Sequence, residues 1–179
     1  MVYFSRLFLS LSLVAASLAA PAKRTVAQVE ADIATISSQV TALDNDINGF
    51  PASGLLGALD IHSAAGTLET ALDQATSDVT ATGPLDEADG TTILNAVEAI
   101  EPTIINALTS ISTKQADFAA EPISGLSALV LVDLQTLQTD TDGFGNALIA
   151  NAPADLVATA QTILANINAA FSTAIAAYE

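Results

Sequence analysis

The sequence predicts an all-α fold: an up-and-down bundle of five long amphipathic helices, the third kinked at Pro102. Three observations carry this. Apolar residues recur every three or four positions over long stretches, which is the period of one helix face. Gly and Pro mark the breaks between those stretches, at Gly49-Phe-Pro51, Gly83-Pro84 and Pro122 to Gly125, so they read there as turns. No stretch of useful length alternates with period two; Leu129-Val-Leu-Val132 alone could pass for a strand.

The first segment is the clearest. Val26, Val29, Ile33, Ile36, Val40, Leu43, Ile47 and Phe50 form an unbroken stripe, with acids and hydroxyls between them, and Asn48-Gly49 with Pro51 mark its end. Such a pairing of a helix-stopping glycine and a following proline is a normal C-terminal signal. After Ser53-Gly54 a second stripe follows: Ile61, Ala65, Leu68, Leu72, Ala75 and Val79, closed by Gly83-Pro84. The third runs from about Asp86 to Ala120 through Ile93, Val97, Ile100, Ile104, Leu108, Ile111 and Phe118. Pro102 falls inside it, where the ring removes a hydrogen bond and crowds the preceding turn, so a kink is expected. The fourth starts near Ser124 or Ser127 and buries Leu126, Val130, Leu134, Leu137, Phe144 and Leu148, with Gly143 and Gly145 weakening it around Phe144. The fifth opens at Pro153, a favourable first-turn residue, and is lined by Leu156, Ala160, Ile163, Ile167, Phe171, Ala174 and Tyr178. Alanines at stripe positions 65, 75, 160 and 174 either let helices approach or leave room between them.

Residues 1–19 read as a signal peptide, with Arg6 ahead of an apolar run and small residues at its end. Residues 20–24 read as a short pro-segment whose Lys23-Arg24 pair is a dibasic processing site, leaving residues 25–179 as the helical domain with Thr25 first. That domain holds one basic side chain, Lys114, against all twenty acids, a net charge of −19, and the chain has no cysteine. Without disulfides a secreted domain must be held by its core alone. One lysine cannot make a basic patch, which excludes nucleic acid as a partner. No transmembrane segment is expected in the mature domain, and the expected location is extracellular or in a cell wall.

The chemical inventory argues against an enzyme, and neither a cofactor nor a metal is expected. His62 is the single histidine, with no cysteine to join it in a metal site or a nucleophilic triad, and reads as a helix-surface or boundary residue. Asp140-Thr-Asp142-Gly143 starts like a calcium loop, but the glycine falls at the fourth position and Asn151 stands at the twelfth. No Gly-x-Ser-x-Gly elbow occurs.

The ensemble of patterns resembles the fungal hydrophobic surface-binding protein A family, which includes cell-wall galactomannoproteins. The resemblance rests on the leader with its dibasic pair, the acidic cysteine-free helical domain, and the stripe from Val26 to Phe50. It rests also on Val97-x-x-Ile100 with Pro102, Leu108-x-x-Ile111-x-x-Lys114-x-x-x-Phe118, and Leu134-x-x-Leu137-x-x-Asp140-Thr-x-x-x-Phe144. Members often carry a second lysine beside the one matching Lys114; here that place is Gln115. The resemblance implies a secreted protein that adsorbs to hydrophobic surfaces and in some cases recruits polyester hydrolases. It also implies an alternative, a bundle that encloses a fatty acid. A third reading is a structural cell-wall antigen. Leu108, Ile111, Phe118, Leu137 and Phe144 are the candidate lipid contacts, and Lys114 is the candidate partner of a ligand carboxylate.

Overall fold

The computed structural model describes residues 25–179, so the leader and the Lys23-Arg24 processing site lie outside the described residues. The described residues are helical throughout, in six helices: α1 Val26–Gly49, α2 Gly54–Thr82, α3 Glu87–Thr113, α4 Gln115–Ala120, α5 Leu126–Asn151 and α6 Val157–Tyr178. Five are long, and α4 has six residues.

The stripes become buried faces. Val29, Ile33, Ile36, Val40, Leu43 and Ile47 are buried on α1, and Phe50 just beyond it. On α2 all six stripe residues are buried. Burying one face of each helix is what stabilises it, because propensity alone leaves isolated helices marginal in water. The helix starts are capped as the local sequence allows. Thr25 Oγ1 accepts from the Gln28 N–H at 3.3 Å, and an Asp86 carboxylate oxygen accepts from the Asp89 N–H at 2.9 Å.

The long helices form a closed ring. α1 packs between α2 and α3, α2 on α5, α5 on α6, and α6 back on α3. Cross-helix hydrogen bonds give the directions. Asn106 donates to Asp44, and Asn166 to Glu101, both at 2.9 Å, while the Tyr178 hydroxyl reaches the Ile111 carbonyl. The numbers rise together, so α1, α3 and α6 run parallel. His62 of α2 meets Asp133 of α5, and further along Asp73 lies near enough to act on Asp140, so those two are parallel to each other. Asn168 pairs with Asp142, and Gly145 faces Leu164, so α5 and α6 are antiparallel. The chain therefore alternates up and down along its long helices.

Three boundaries differ from the sequence reading. The third segment breaks at Lys114 into α3 and α4, which gives six helices in place of five, while α3 itself runs on through Pro102. α6 begins at Val157, not at Pro153, because residues 153–156 form a turn closed by the Leu156 N–H on the Pro153 carbonyl at 3.0 Å. α5 continues through Gly143 and Gly145 without interruption.

Candidate functional site

A cavity of about 150 Å³ runs along the bundle axis. Every long helix contributes to its wall: Ile33 to Ile47 on α1, Ile61 to Leu72 on α2, Gly90 to Ile111 on α3, Val130 to Ile149 on α5 and Ala160 to Phe171 on α6. On α1 the lining runs from Ile33 to Ile47, ~21 Å of helix, so the space is long and narrow. The wall is apolar, mostly aliphatic with Phe144 and Phe171, and only Asp133 and Thr141 bring polar side chains to it. Water in such a space finds few hydrogen-bond partners, which favours hydrocarbon as its content.

The alanines of the stripes divide into two roles. Ala65 and Ala160 line the cavity, where a larger residue would fill it. Ala75 and Ala174 do not line it and are wholly buried. Gly145 belongs with the first pair: it lines the cavity, and a Cβ there would come within 2.8 Å of the Leu164 side chain. Gly90 permits a tighter contact, since a Cβ would lie 2.6 Å from the Pro153 ring.

One end of the axis is plugged by aromatic rings. Phe50 and Phe118 stack with centroids 4.2 Å apart, and Tyr178 meets Phe118 edge-on at 6.3 Å. The Tyr178 hydroxyl donates to the Ile111 carbonyl, and burial pushes its ionisation well above the ordinary tyrosine range, with the Asp117 charge adding to the shift. Lys114 sits at the same end. Its ammonium donates to the carbonyl of Phe50, the residue that caps α1. A cation there satisfies a free carbonyl and complements the negative end of the helix dipole.

The candidate contacts thus separate. Leu108, Ile111, Leu137 and Phe144 line the cavity together. Phe118 is 1% exposed but lies in the plug and not in the lining. Lys114 also stands outside the lining, held on α1, where the sequence reading had it facing a ligand carboxylate.

The sequence reading passed over Asp133. It is 8% exposed, lines the cavity, and holds both carboxylate oxygens near His62 Nδ1, at 3.1 and 2.9 Å. Because the carboxylate can only accept, Nδ1 carries the hydrogen and donates. Burial raises the Asp133 carboxyl above the ordinary aspartate range, an effect that the His62 hydrogen bond partly opposes. The His62 side chain is 47% exposed, so the pair bridges solvent and cavity between α2 and α5. One signal was available: an acid interrupting the apolar run from Leu129 to Leu134.

The sequence profile of the HsbA family, hydrophobic surface binding protein A, matches residues 26–150. The chain belongs to that family. It is similar to AfMP4p, whose structure was solved in complex with palmitic acid: identity is 35%, the match covers 86% of this chain and 99% of that one, and the TM-score is 0.80. Ligand binding domain 1 of the Penicillium marneffei MP1 protein, solved with arachidonic acids, shares the fold at 15% identity, with a TM-score of 0.78 over 86% of this chain and 99% of that one. Domain 2 of the same protein, also solved with arachidonic acids, gives 17% identity and 0.75 over 88% and 97%. No match was found among curated proteins. Among the described residues, no helix is long and apolar enough to cross a membrane.

Proposed function

We propose that this family member is a non-enzymatic binding protein that carries the hydrocarbon chain of a single-chain lipid in its axial cavity. The observation that carries the reading is the cavity itself, walled by aliphatic side chains from all five long helices. Leaving a cavity of about 150 Å³ unfilled costs on the order of 3–4 kcal/mol, and an acyl chain that fills it regains that energy as affinity. The palmitic acid bound by the 35% identical AfMP4p supports the same reading. A bend of α3 at Pro102 belongs to the proposal: the ring removes one rung where Ile100 and Ile104 wall the cavity, so the helix can bow around its content. The test is native mass spectrometry of protein from its own secretory host, followed by delipidation and reloading. One acyl-chain mass per protein is expected; a bare protein that takes up no lipid overturns the reading.

A second reading has its own observation. Leu56, Leu59, Ile123 and Val132 are exposed, with Leu56 at 73% and Val132 at 55%. All four fall within the first two turns of α2 and α5 or just before α5, toward the plugged end of the bundle. We propose that this end adsorbs to hydrophobic solids and brings a secreted polyester hydrolase to them. Retention on uncharged polyester beads should fall in Leu56→Ser with Ile123→Ser. Both readings place the protein outside the cell, released by cleavage of residues 1–19 and trimmed after Arg24. N-terminal sequencing of secreted material should begin at Thr25.

A further inference from the structure

We propose that the Asp133 carboxylate is the head-group acceptor of the cavity, so that the preferred ligand is a long-chain lipid ending in a hydroxyl hydrogen, a primary alcohol or a protonated fatty acid, and not an ionised carboxylate. This rests on the carrier reading and gives that ligand its polar end.

The first support is position. Asp133 is the charged residue in the cavity wall, with Thr141 two turns further along the same helix. A polar group so placed in an aliphatic wall fixes ligand orientation, as a few polar groups do in most small-molecule pockets. The second is capacity. The His62 Nδ1 hydrogen is shared by both Asp133 oxygens, and an ionised carboxylate has about four acceptor sites, so acceptance from a ligand hydroxyl remains open. The third is the missing cation. Lys114, the one lysine of residues 25–179, is held on Phe50 and lies outside the lining, and those residues hold no arginine.

The remaining charges deepen the bias. On α2, which packs against α5, stand His62, Glu69 and Asp73, and Asp140 follows on α5 itself. Burial and the charges of Asp133 and Asp140 raise the Glu69 carboxyl, so these acids sense one another. On α6 the only titratable side chain is Tyr178, and α4 brings Asp117, whose charge acts on Tyr178. Apart from His62, the charged groups around Asp133 are negative. An ionised head group would enter against them without a counter-charge, whereas a hydroxyl enters neutral and donates. The pair also reaches the surface between α2 and α5: the His62 side chain is half exposed, Val132 adjoins Asp133, and Leu59 stands one turn before His62, both exposed and apolar. A lipid whose head rests at Asp133 can lay its chain along the axis toward Leu156.

The experiment measures binding of hexadecanol, palmitic acid and hexadecane to delipidated protein, by displacement of a fluorescent acyl probe over a pH series from acidic to above neutral. Hexadecanol should bind about ten-fold or more tighter than palmitic acid at neutral pH, the scale of one hydrogen bond to a charged acceptor. Palmitic acid should weaken by up to about ten-fold per pH unit once it ionises, while hexadecanol stays level wherever Asp133 is ionised. Asp133→Asn, which can both donate and accept, should remove the alcohol preference and flatten the palmitic acid profile. His62→Ala should keep the preference. Equal affinities of alcohol and palmitic acid at neutral pH, or loss of palmitic acid binding in His62→Ala, overturn the head-group assignment while binding of hexadecane leaves the carrier reading in place. Failure of all three ligands to bind overturns both. If Asp133→Asn does not fold, the pH profiles of the unaltered protein decide.

Discussion

The Tyr178 hydroxyl donates to the main-chain carbonyl of Ile111 at 2.8 Å, tying the last turn of α6 to the last turn of α3. That carbonyl also receives the Lys114 N–H at 3.0 Å, at the point where α3 stops. The link therefore closes the plug and uses the second lone pair of a carbonyl at the end of the broken helix.

Tyr178→Phe keeps the ring against Phe118 and removes only the donor. The expected cost is about 1–2 kcal/mol, since a buried acceptor loses one partner. Because the folded state raises the Tyr178 ionisation, its contribution is present below the ordinary tyrosine range and is lost as pH rises through it. Chemical denaturation in alkaline buffer should thus weaken the parent protein more than Tyr178→Phe. A parallel decline in both would show that Tyr178 is not the titrating group.

Lys114→Met tests where this lysine acts. Losing the bond to the Phe50 carbonyl should cost about 1–2 kcal/mol, a charged donor's share reduced by partial exposure. Lipid affinity should stay within about two-fold, because Lys114 does not line the cavity. A large drop in palmitic acid affinity with unchanged stability would return Lys114 to the ligand.

Much of this fold is legible in the sequence because each stripe is a local pattern that one buried face must satisfy. The joins are less legible, since they depend on contacts from elsewhere in the chain. The stripe keeps phase from Ile111 to Phe118, and only the Tyr178 hydroxyl and the Lys114 bond explain a break between them. The start of α6 is displaced because the Leu85 N–H bonds the Asn151 carbonyl at 2.8 Å and the Pro153 ring packs on Gly90. The cavity wall was readable in part. Leu108, Ile111, Leu137 and Phe144 follow from periodicity, but nothing in a period tells a residue facing an open axis from one in a plug, which is the fate of Phe118. Asp133 escaped because its partner, His62, stands seventy-one positions away in the chain.

Two glycines should respond oppositely to alanine. At Gly143 a Cβ meets nothing within 4 Å, so Gly143→Ala should stabilise by about 0.5–1 kcal/mol, the usual helix-interior gain. At Gly90 the added carbon would press on the Pro153 ring, which its own backbone holds in place, so Gly90→Ala should cost about 1–3 kcal/mol. Urea unfolding of both variants measures this; equal shifts would mean that the turn at Pro153 yields freely.

Acidification should stabilise the fold. Burial raises Glu69, Asp133 and Asp140, and a hydrogen bond shared with Asp155 raises Glu87. Groups whose folded pKa is raised contribute stability below their unfolded values and lose it as pH climbs through the folded ones. A net charge of −19 on residues 25–179, one lysine against twenty acids, adds self-repulsion at neutral pH. The melting temperature should therefore rise as pH falls from neutral toward the carboxylate range, and added salt at neutral pH should raise it too. A maximum at neutral pH, insensitive to salt, would contradict both effects.

The cavity itself is tested by two alanines on one helix face. Ala65 and Ala75 both belong to the α2 stripe and both are buried, but only Ala65 lines the cavity. Ala65→Leu places its added carbons in open space, so the fold should keep its stability or gain up to about 1–2 kcal/mol from the new apolar contacts. The same carbons occupy the room of an acyl chain, and affinity for hexadecanol or palmitic acid should fall by about ten-fold or more, in proportion to the excluded methylenes. Ala75→Leu has no such space. It should cost about 1–3 kcal/mol through overpacking and leave affinity per folded molecule close to the parent's. Measuring unfolding and lipid displacement on both variants separates the two cases. If Ala65→Leu loses stability as Ala75→Leu does, the wall at Ala65 is packed and the axis does not hold a ligand there.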